Sequence, residues 1–157
     1  MENDSILTIA ELEKTCWSSW LAALLESLAG RAEVFPDGQL CIQSELGLLA
    51  TLSVNKVNWD GQPENLPSWN AVAGEPTTYE NTFAKSGNTL CLMSMNVSEL
   101  RRGQQLPKIL IKSLLDYAAS NEITHVIGSF RPSAYSQAVL KSLEQGMQPV
   151  AFENIVK

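Results

Sequence analysis

Apolar residues first recur at every second position, then at every third or fourth position, and then form a short continuous run. These changes along the chain predict a strand, a helix and a second strand. Residues 89–97 are expected to form a β-strand, because Met93, Met95 and Val97 alternate with polar Ser94 and Asn96. Apolar residues then recur at helical spacing over residues 107–119. Residues 123–130 form a short apolar run that indicates a buried strand. This order predicts a parallel β-α-β unit.

The flanking segments complete a mixed α/β pattern. A turn signal at residues 36–38 precedes two alternating runs, 40–43 and 48–57, which predict an antiparallel hairpin. The C-terminal part predicts a helix over 134–143 and a last strand over 150–156. The expected fold is therefore one α/β (α+β) domain over residues 1–157, whose mixed, mostly antiparallel central sheet has helices on both faces.

The first 33 residues predict a helical segment. Thr8 and Glu11 have the spacing of a capping box, and Gly30 suits the position just after a helix. The segment between carries one apolar stripe. We expect that stripe to pack on the sheet, and a partner surface is the alternative. Its members are Trp17, Leu21, Leu24, Leu25 and Leu28.

Residues 58–88 have no clear periodicity. An irregular insertion of this length in a compact domain is often functional or mobile. Trp69, Thr77 and Thr78 are candidates for lining an acceptor pocket. The alternative is a surface loop held in place by buried Trp59 and Trp69.

Composition narrows the classes of function. The net charge of −6 argues against a nucleic-acid-binding face, which would be basic. No apolar run is long enough to cross a membrane, and no signal peptide is evident, so we expect a cytoplasmic protein without a membrane partner. Cys16, Cys41 and Cys91 lack metal-ligand spacing and are expected to be reduced thiols, with no metal site.

The turn between the 89–97 strand and the 107–119 helix has the features of an anion site. It carries Arg101, Arg102 and Gly103, and Pro107 stands where a helix begins. Unpaired backbone N–H groups and the positive end of the helix dipole favour a negative group at such a turn. The alternative is a charged turn that only connects core elements.

This turn resembles the pyrophosphate-binding motif of the GCN5-related N-acetyltransferases (GNAT), whose usual pattern is Gln/Arg-x-x-Gly-x-Gly/Ala. The arginine is matched by Arg102, whereas Gln105 and Pro107 replace the two small residues. Pro107 also removes one N–H donor. The resemblance spans about residues 34–157. It implies an N-acetyltransferase that uses acetyl-CoA or another acyl-CoA as cosubstrate, with the pantetheine arm along Met95 and Val97. The pyrophosphate would lie over Arg102, Gly103, Gln104, Gln105 and Leu106.

A second GNAT motif is matched only in part near the C-terminus. Ala138 fits its alanine, but the tyrosine that often protonates the departing CoA thiolate in the family is replaced by Ser142. An aliphatic hydroxyl is a far weaker acid than a phenol. The family usually has one more strand than this chain, so either the sheet is minimal or a partner subunit, as in a homodimer, completes its edge.

His125 is the single histidine and lies within an apolar strand. Its ordinary pKa suits proton transfer at neutral pH, although a lone strand histidine is often a core residue. The layout resembles the decarboxylating GNAT-like loading domain of the curacin polyketide synthase. That resemblance implies a catalytic pair of His125 and Thr89, with Cys91 or Ser94 as alternatives to Thr89. It also implies malonyl-CoA decarboxylation and acetyl transfer to an acyl carrier protein.

Three classes of function therefore stay open. The first is an acyltransferase acting on an unidentified small molecule or carrier protein. The second is a non-catalytic acyl-CoA-binding domain, because the phosphate loop is altered and the tyrosine is missing. The third is an interaction domain that keeps the fold without the ligand.

Overall fold

The computed structural model describes residues 3–129. The α-helices are α1 (Asn3–Cys16), α2 (Leu25–Val34), α3 (Trp69–Ala73) and α4 (Leu106–Ser120). The strands are β1 (Gln39–Ser44), β2 (Gly47–Val57), β3 (Thr89–Val97) and β4 (His125–Gly128). Short 3-10 helices cover Pro36–Gly38, Pro63–Asn65 and Glu99–Arg101. The helix and strand expected at 134–143 and 150–156, and the assignments to Ala138 and Ser142, lie outside the described residues.

The described strands form one sheet in the order β1-β2-β3-β4. The β1–β2 and β2–β3 pairs are antiparallel, and β3 pairs with β4 in parallel. This confirms the predicted hairpin, the mixed and mostly antiparallel sheet, and the adjacency of the 89–97 and 123–130 strands. None of the described helices has the length and apolar character needed to span a membrane.

Helix α4 packs on one face of the sheet because its apolar residues repeat every three to four positions. Leu106, Leu110 and Leu114 are buried against Leu52 and Leu90. The helix begins at Leu106 with Pro107 in its first turn, where the missing N–H costs no helix hydrogen bond. The predicted bounds of 107–119 are therefore correct to one residue at each end.

Helices α1, α2 and α3 lie on the opposite face of the sheet. Ile6 and Ala10 of α1 form a small core with Leu28 of α2. Val72 of α3 packs with Cys91 of β3. Helices thus lie on both faces of the sheet, as the sequence predicted, and the second face bears the cavity described below.

The N-terminal helix prediction is wrong in detail. Thr8 lies inside α1 and does not cap it, and Gly30 lies inside α2 and does not end it. Residues 17–24 separate the two helices, so the predicted apolar stripe is not continuous. Leu21 and Leu24 at this break are 40% and 69% exposed, which contradicts burial of the stripe on the sheet for these residues.

Candidate functional site

A β-bulge in β3 turns two successive side chains to the same face. Ser53 pairs with Ser94 and Val54 pairs with Leu92, so Met93 has no partner on β2. Met93 and Ser94 both line a cavity on the side away from α4. Strict alternation would have put Met93 on the same face as Met95. Met95 packs against the α4 core, whereas Met93 lines the cavity on the other face. The predicted alternation is therefore wrong at this position.

The parallel pairing of β3 ends just before the bulge. It covers Thr89 to Leu92, opposite His125 to Gly128. From Met93 onward, the edge of β3 that faced β4 has no strand partner within residues 3–129. Ser129, the first residue after β4, lines the same cavity as Met93 and Ser94. The cavity therefore lies where the described pairing of β3 with β4 ends.

Met95 and Val97, the residues expected to bind the pantetheine arm, direct their backbone groups away from β2. The Ser98 N–H donates to Leu49 O at 2.9 Å, toward β2. Because successive residues alternate the direction of their backbone groups, Val97 and Met95 direct theirs to the opposite edge, which has no strand partner there within residues 3–129. One of these groups has a protein contact, since Val97 O lies 3.5 Å from Cys16 Sγ.

The loop between β3 and α4 exposes backbone donors. Gly103 has φ +84° and Gln105 has φ +60°, and Gln105 precedes the first helical residue without a side-chain cap. Within residues 3–129, the N–H groups of Gly103, Gln105 and Leu106 have no backbone acceptor. Exposed Arg102 lies 3.6 Å from Glu99. The features expected of an anion site are thus present together at the N-terminus of α4.

The cavity has a volume of ≈ 490 Å³, within the range of small-molecule sites. It lies between the α1–α2 connection, helix α3 and the bulge of β3. Two tryptophans contribute, and the Trp69 indole N–H donates to Met93 O at 3.0 Å. The predicted pocket role of Trp69 and Thr77 agrees with this placement, whereas Thr78 does not line the cavity. The described lining residues are Glu13, Trp17, Leu21, Ala22, Ala23, Leu24, Ser27, Arg31, Trp69, Asn70, Thr77, Met93, Ser94 and Ser129.

A buried carboxylate fixes one wall of the cavity. Glu13 is 2% exposed, and its Oε1 accepts the Ala23 N–H at 3.2 Å. Its Oε2 accepts a short hydrogen bond from Asn96 Nδ2. Asn96 also donates to Thr51 Oγ1 at 3.0 Å and accepts the Trp17 indole N–H at 2.6 Å. This network fastens the α1–α2 connection to the sheet, since buried polar groups are stable only when they are hydrogen-bonded.

A buried guanidinium lies on another wall. Arg31 is 2% exposed, and its Nε donates to Thr77 O at 2.9 Å. Its Cζ lies 4.9 Å from the centre of the Tyr79 ring. Burial raises the pKa of Tyr79, and the Arg31 charge opposes that rise. The Tyr79 hydroxyl bonds to Ser53 Oγ at 2.7 Å, so Tyr79 is held as a neutral platform under Arg31.

The structure brings Thr89 and His125 together in register, on the face opposite α4. Their hydroxyl and imidazole have other partners: Thr89 Oγ1 donates to Asn88 Oδ1 at 2.9 Å, and Thr124 Oγ1 lies 2.8 Å from His125 Nδ1. The imidazole also meets the Trp59 ring, with 4.9 Å between centroids. Neither residue lines the large cavity.

The strand geometry separates this pair from the cavity mouth. At ~3.3 Å per residue, the four steps from His125 to Ser129 span about 13 Å. Of the two alternatives to Thr89, Ser94 lines the cavity, whereas Cys91 is buried and its pKa is raised to about 11 by that burial. A thiol with so high a pKa is a poor nucleophile at neutral pH. The catalytic role of His125 and Thr89 stays a prediction.

Sequence analysis missed Glu13 and Arg31, although a signal for each was present. Ile6, Ala10 and Glu13 are spaced as one face of a helix, and so are Ser27 and Arg31. A charged residue on an otherwise apolar helix face indicates a buried polar site. The β3 bulge left a weaker signal, since the consecutive apolar residues Leu92 and Met93 interrupt the alternation but are also common in a buried strand.

Comparison with known proteins places the fold. No protein-family profile matches the chain, and no curated protein matches it. Among solved structures, the chain is similar to the GphF GNAT-like decarboxylase in complex with isobutyryl-CoA. The TM-score is 0.71 at 20% identity, and the alignment covers 94% of this chain and 70% of that chain.

Two further structures extend this likeness. The loading GNATL domain of CurA from Lyngbya majuscula gives a TM-score of 0.70 at 20% identity over 85% of this chain. The chain spans 64% of the length of that domain. An aminoglycoside 6'-N-acetyltransferase from Acinetobacter haemolyticus gives 0.53 at 15% identity, over 96% of this chain and 90% of that chain. The described elements and these likenesses together show that the chain has the GNAT fold.

Proposed function

We propose that this protein is an acyl-CoA-dependent acyltransferase. The carrying observation is the order of three features along β3 and the loop after it: the cavity at the bulge, the backbone groups of Met95 and Val97 that point away from β2, and the N-terminus of α4. In this proposal the pyrophosphate lies over residues 102–106 and the pantetheine amides pair with Met95 and Val97. The thioester then reaches Met93 and Ser94, beside the cavity.

Each of these three features suits one part of acyl-CoA. The helix N-terminus and Arg102 provide positive potential and N–H donors for phosphate oxygens. Strand-like hydrogen bonds along an open edge bind an extended amide chain, as in β-augmentation. The cavity, lined by Trp17, Trp69 and Met93, is wide enough for an acyl group together with a small acceptor.

N-acetyl transfer is the first reaction we propose. The amine of an acceptor attacks the thioester carbonyl, the carbonyl oxygen takes up negative charge, and CoA leaves as the thiolate. The reaction gains from a donor aimed at the developing oxyanion and from a group that protonates the thiolate. Ser94 is well placed beside the thioester. His125 and Thr89 lie about 13 Å along the sheet from Ser129 at ~3.3 Å per residue, which is too far for direct proton transfer to a thioester at Ser94. They are the proton-transfer pair only if the thioester lies at the Thr89 end of the sheet.

Decarboxylation with transfer to a carrier protein is the second candidate. It is favoured by the likeness to the GphF decarboxylase and the CurA loading domain, whose TM-scores of 0.71 and 0.70 exceed the 0.53 of the N-acetyltransferase. Malonyl-CoA would lose CO2, and the resulting enolate would take up a proton to give acetyl-CoA. The acetyl group would then pass to the thiol of an acyl carrier protein, and the proton of that thiol would balance the one gained by the departing CoA thiolate.

Calorimetric titration with acetyl-CoA tests the binding part of the proposal. We expect saturable binding that Arg102→Glu weakens by about 1–3 kcal/mol, because a charge-assisted contact is replaced by repulsion. Lys112→Glu is the matched control: it makes the same charge change at an exposed position of α4, where Lys112 pairs with Asp116. Absence of acetyl-CoA binding by the unmodified protein refutes the proposal and favours an interaction domain.

Turnover separates the remaining possibilities. Acetyl-CoA and malonyl-CoA are supplied side by side with a panel of amines and with an acyl carrier protein. Acetylated amine without CO2 release supports N-acetyl transfer, whereas CO2 release from malonyl-CoA supports the second candidate. Binding without either reaction identifies a non-catalytic acyl-CoA-binding domain.

A further inference from the structure

Arg31 is a buried cation whose charge has little compensation from the described protein. Its side chain has five N–H donors, of which Nε is used by Thr77 O. No carboxylate among residues 3–129 lies within 4.0 Å of it. Burying an uncompensated charge costs several kcal/mol. The two contacts it does have, Thr77 O and the face of Tyr79, are neutral.

The terminal nitrogens of Arg31 have no hydrogen-bond partner among residues 3–129. Arg31 belongs to the cavity lining. Within the described chain, Thr78 Oγ1 is the one enclosed side-chain polar atom without a hydrogen-bond partner. The terminal nitrogens of Arg31 are therefore not sealed in the core, although the residue is 2% exposed overall. They are accessible from the cavity.

The neighbouring hydroxyls supply a further donor. Ser27 Oγ and Thr77 Oγ1 lie 2.6 Å apart, and both residues line the cavity beside Arg31. One hydroxyl hydrogen is used in their mutual bond, which leaves the other available to an acceptor. A planar guanidinium fork with an adjacent hydroxyl matches the two oxygens of a carboxylate.

Glu13 does not supply the missing anion. Its two oxygens already accept the Ala23 N–H and the Asn96 amide. The cavity thus contains one charge that the protein satisfies and one that it leaves for a ligand. We propose that Arg31 binds a carboxylate of the molecule in this cavity, carried either by the acyl group of the CoA thioester or by the acyl acceptor. This inference rests on the proposed function for the identity of that molecule.

Matched thioesters test the first source of the carboxylate. Malonyl-CoA is compared with propionyl-CoA, and succinyl-CoA with butyryl-CoA, because each pair exchanges a terminal carboxylate for a methyl group. If the acyl group carries the carboxylate, at least one acid should bind roughly 10- to 100-fold more tightly than its partner. Arg31→Met should bring that ratio close to one.

A second titration tests the acceptor as the source. The protein is saturated with CoA and titrated with succinate or with succinamide, its neutral analogue. The intrinsic tryptophan fluorescence is followed, because Trp17 and Trp69 line the cavity. If the acceptor carries the carboxylate, succinate should saturate where succinamide does not, and Arg31→Met should abolish the difference. Arg31→Lys should keep part of it, because the charge remains without the fork.

A structural role for Arg31 predicts a different result. It would lower the melting temperature of Arg31→Met without changing either ratio in the folded variant. The inference is overturned if the unmodified protein discriminates in neither titration, or if discrimination persists in folded Arg31→Met. If Arg31→Met does not fold, the comparison in the unmodified protein and in Arg31→Lys decides.

The two proposals fail separately. If no CoA thioester binds but succinate is still distinguished from succinamide by the protein alone, the proposed function fails and the carboxylate site stands. If CoA thioesters bind without any preference for a carboxylate in either titration, the proposed function stands and the role of Arg31 is refuted. Arg102→Gln provides a control, since it should weaken both members of each thioester pair equally.

Discussion

Replacing Asn96 by aspartate should destabilise the fold strongly and in a pH-dependent way. The substitution keeps the shape of the side chain but changes Nδ2 into an oxygen. The new carboxylate then faces the Glu13 carboxylate, at a position where Asn96 now donates. Asn96 and Glu13 are 1% and 2% exposed, so water screens the pair poorly.

Protonation of one of the two carboxylates limits how far the substitution lowers the free energy of unfolding. Two carboxylates ~3 Å apart repel by about 5–6 kcal/mol at an effective dielectric constant of ~20. One of them escapes this repulsion by taking up a proton, which from an ordinary carboxyl pKa of about 4 costs about 4 kcal/mol at pH 7. Loss of the Asn96 to Thr51 bond adds about 1 kcal/mol. The expected loss at pH 7 is therefore about 4–5 kcal/mol.

The pH dependence has a definite sign. In the unfolded variant both carboxylates are ionised above about pH 5, whereas the folded variant holds one extra proton. The stability difference from the unmodified protein should thus shrink by about 1.4 kcal/mol for each pH unit between pH 7 and about pH 5. At low pH, the protonated group again donates to its neighbour.

Urea unfolding at pH 7, 6 and 5 measures this difference. Asn65→Asp is the matched control, because Asn65 also donates to a carboxylate, that of Asp60, but at an exposed site. It should change the free energy of unfolding little, since solvent screens the pair. A loss below about 1 kcal/mol for Asn96→Asp at pH 7, or a loss independent of pH, would refute the reasoning.

Two further predictions concern the site. If the thioester lies at Met93 and Ser94, His125→Ala should change turnover by no more than about twofold; a loss of about 10²–10³, the size of an oxyanion donor, would move the reaction to the Thr89 end of the sheet. Gln105→Gly should stabilise the protein by up to about 1 kcal/mol in urea unfolding, because Gln105 has φ +60° and glycine lacks the left-handed penalty. Gly47→Gln, at φ +106° with nothing within 4 Å of an added Cβ, is the reverse control and should destabilise.

The sequence predicted the β3-α4-β4 unit well because its local and tertiary preferences agree. The apolar residues of α4, such as Leu110 and Leu114, recur at helical spacing and are buried together. Gly103 lies in the turn and Pro107 lies in the first turn of α4, the positions at which these residue types are expected. When local preferences and tertiary packing agree in this way, an element can be predicted from sequence.

The cavity was less predictable because its geometry depends on contacts distant in sequence. Trp17 bonds to Asn96, Arg31 bonds to Thr77, and Trp69 bonds to Met93. Each of these pairs joins elements that only the folded sheet brings together. The sequence indicated Trp69 and Thr77 as pocket candidates because the segment between β2 and β3 was irregular, but it gave no reason to pair them with α2.

Glu13 accounts both for the break that separates α1 from α2 and for the cavity. A helix continuing through residues 17–24 would direct the Ala23 N–H to the carbonyl four residues earlier. That N–H instead donates to Glu13 Oε1, and the chain turns at Ser18, whose carbonyl accepts from Leu21 and Ala22. A continuous helix would leave a 2%-exposed carboxylate without one of its two donors, at a cost of about 1–3 kcal/mol. The buried charge therefore favours the break over the helical spacing of the apolar residues. The same break places Trp17, Ala22 and Ala23 along the cavity.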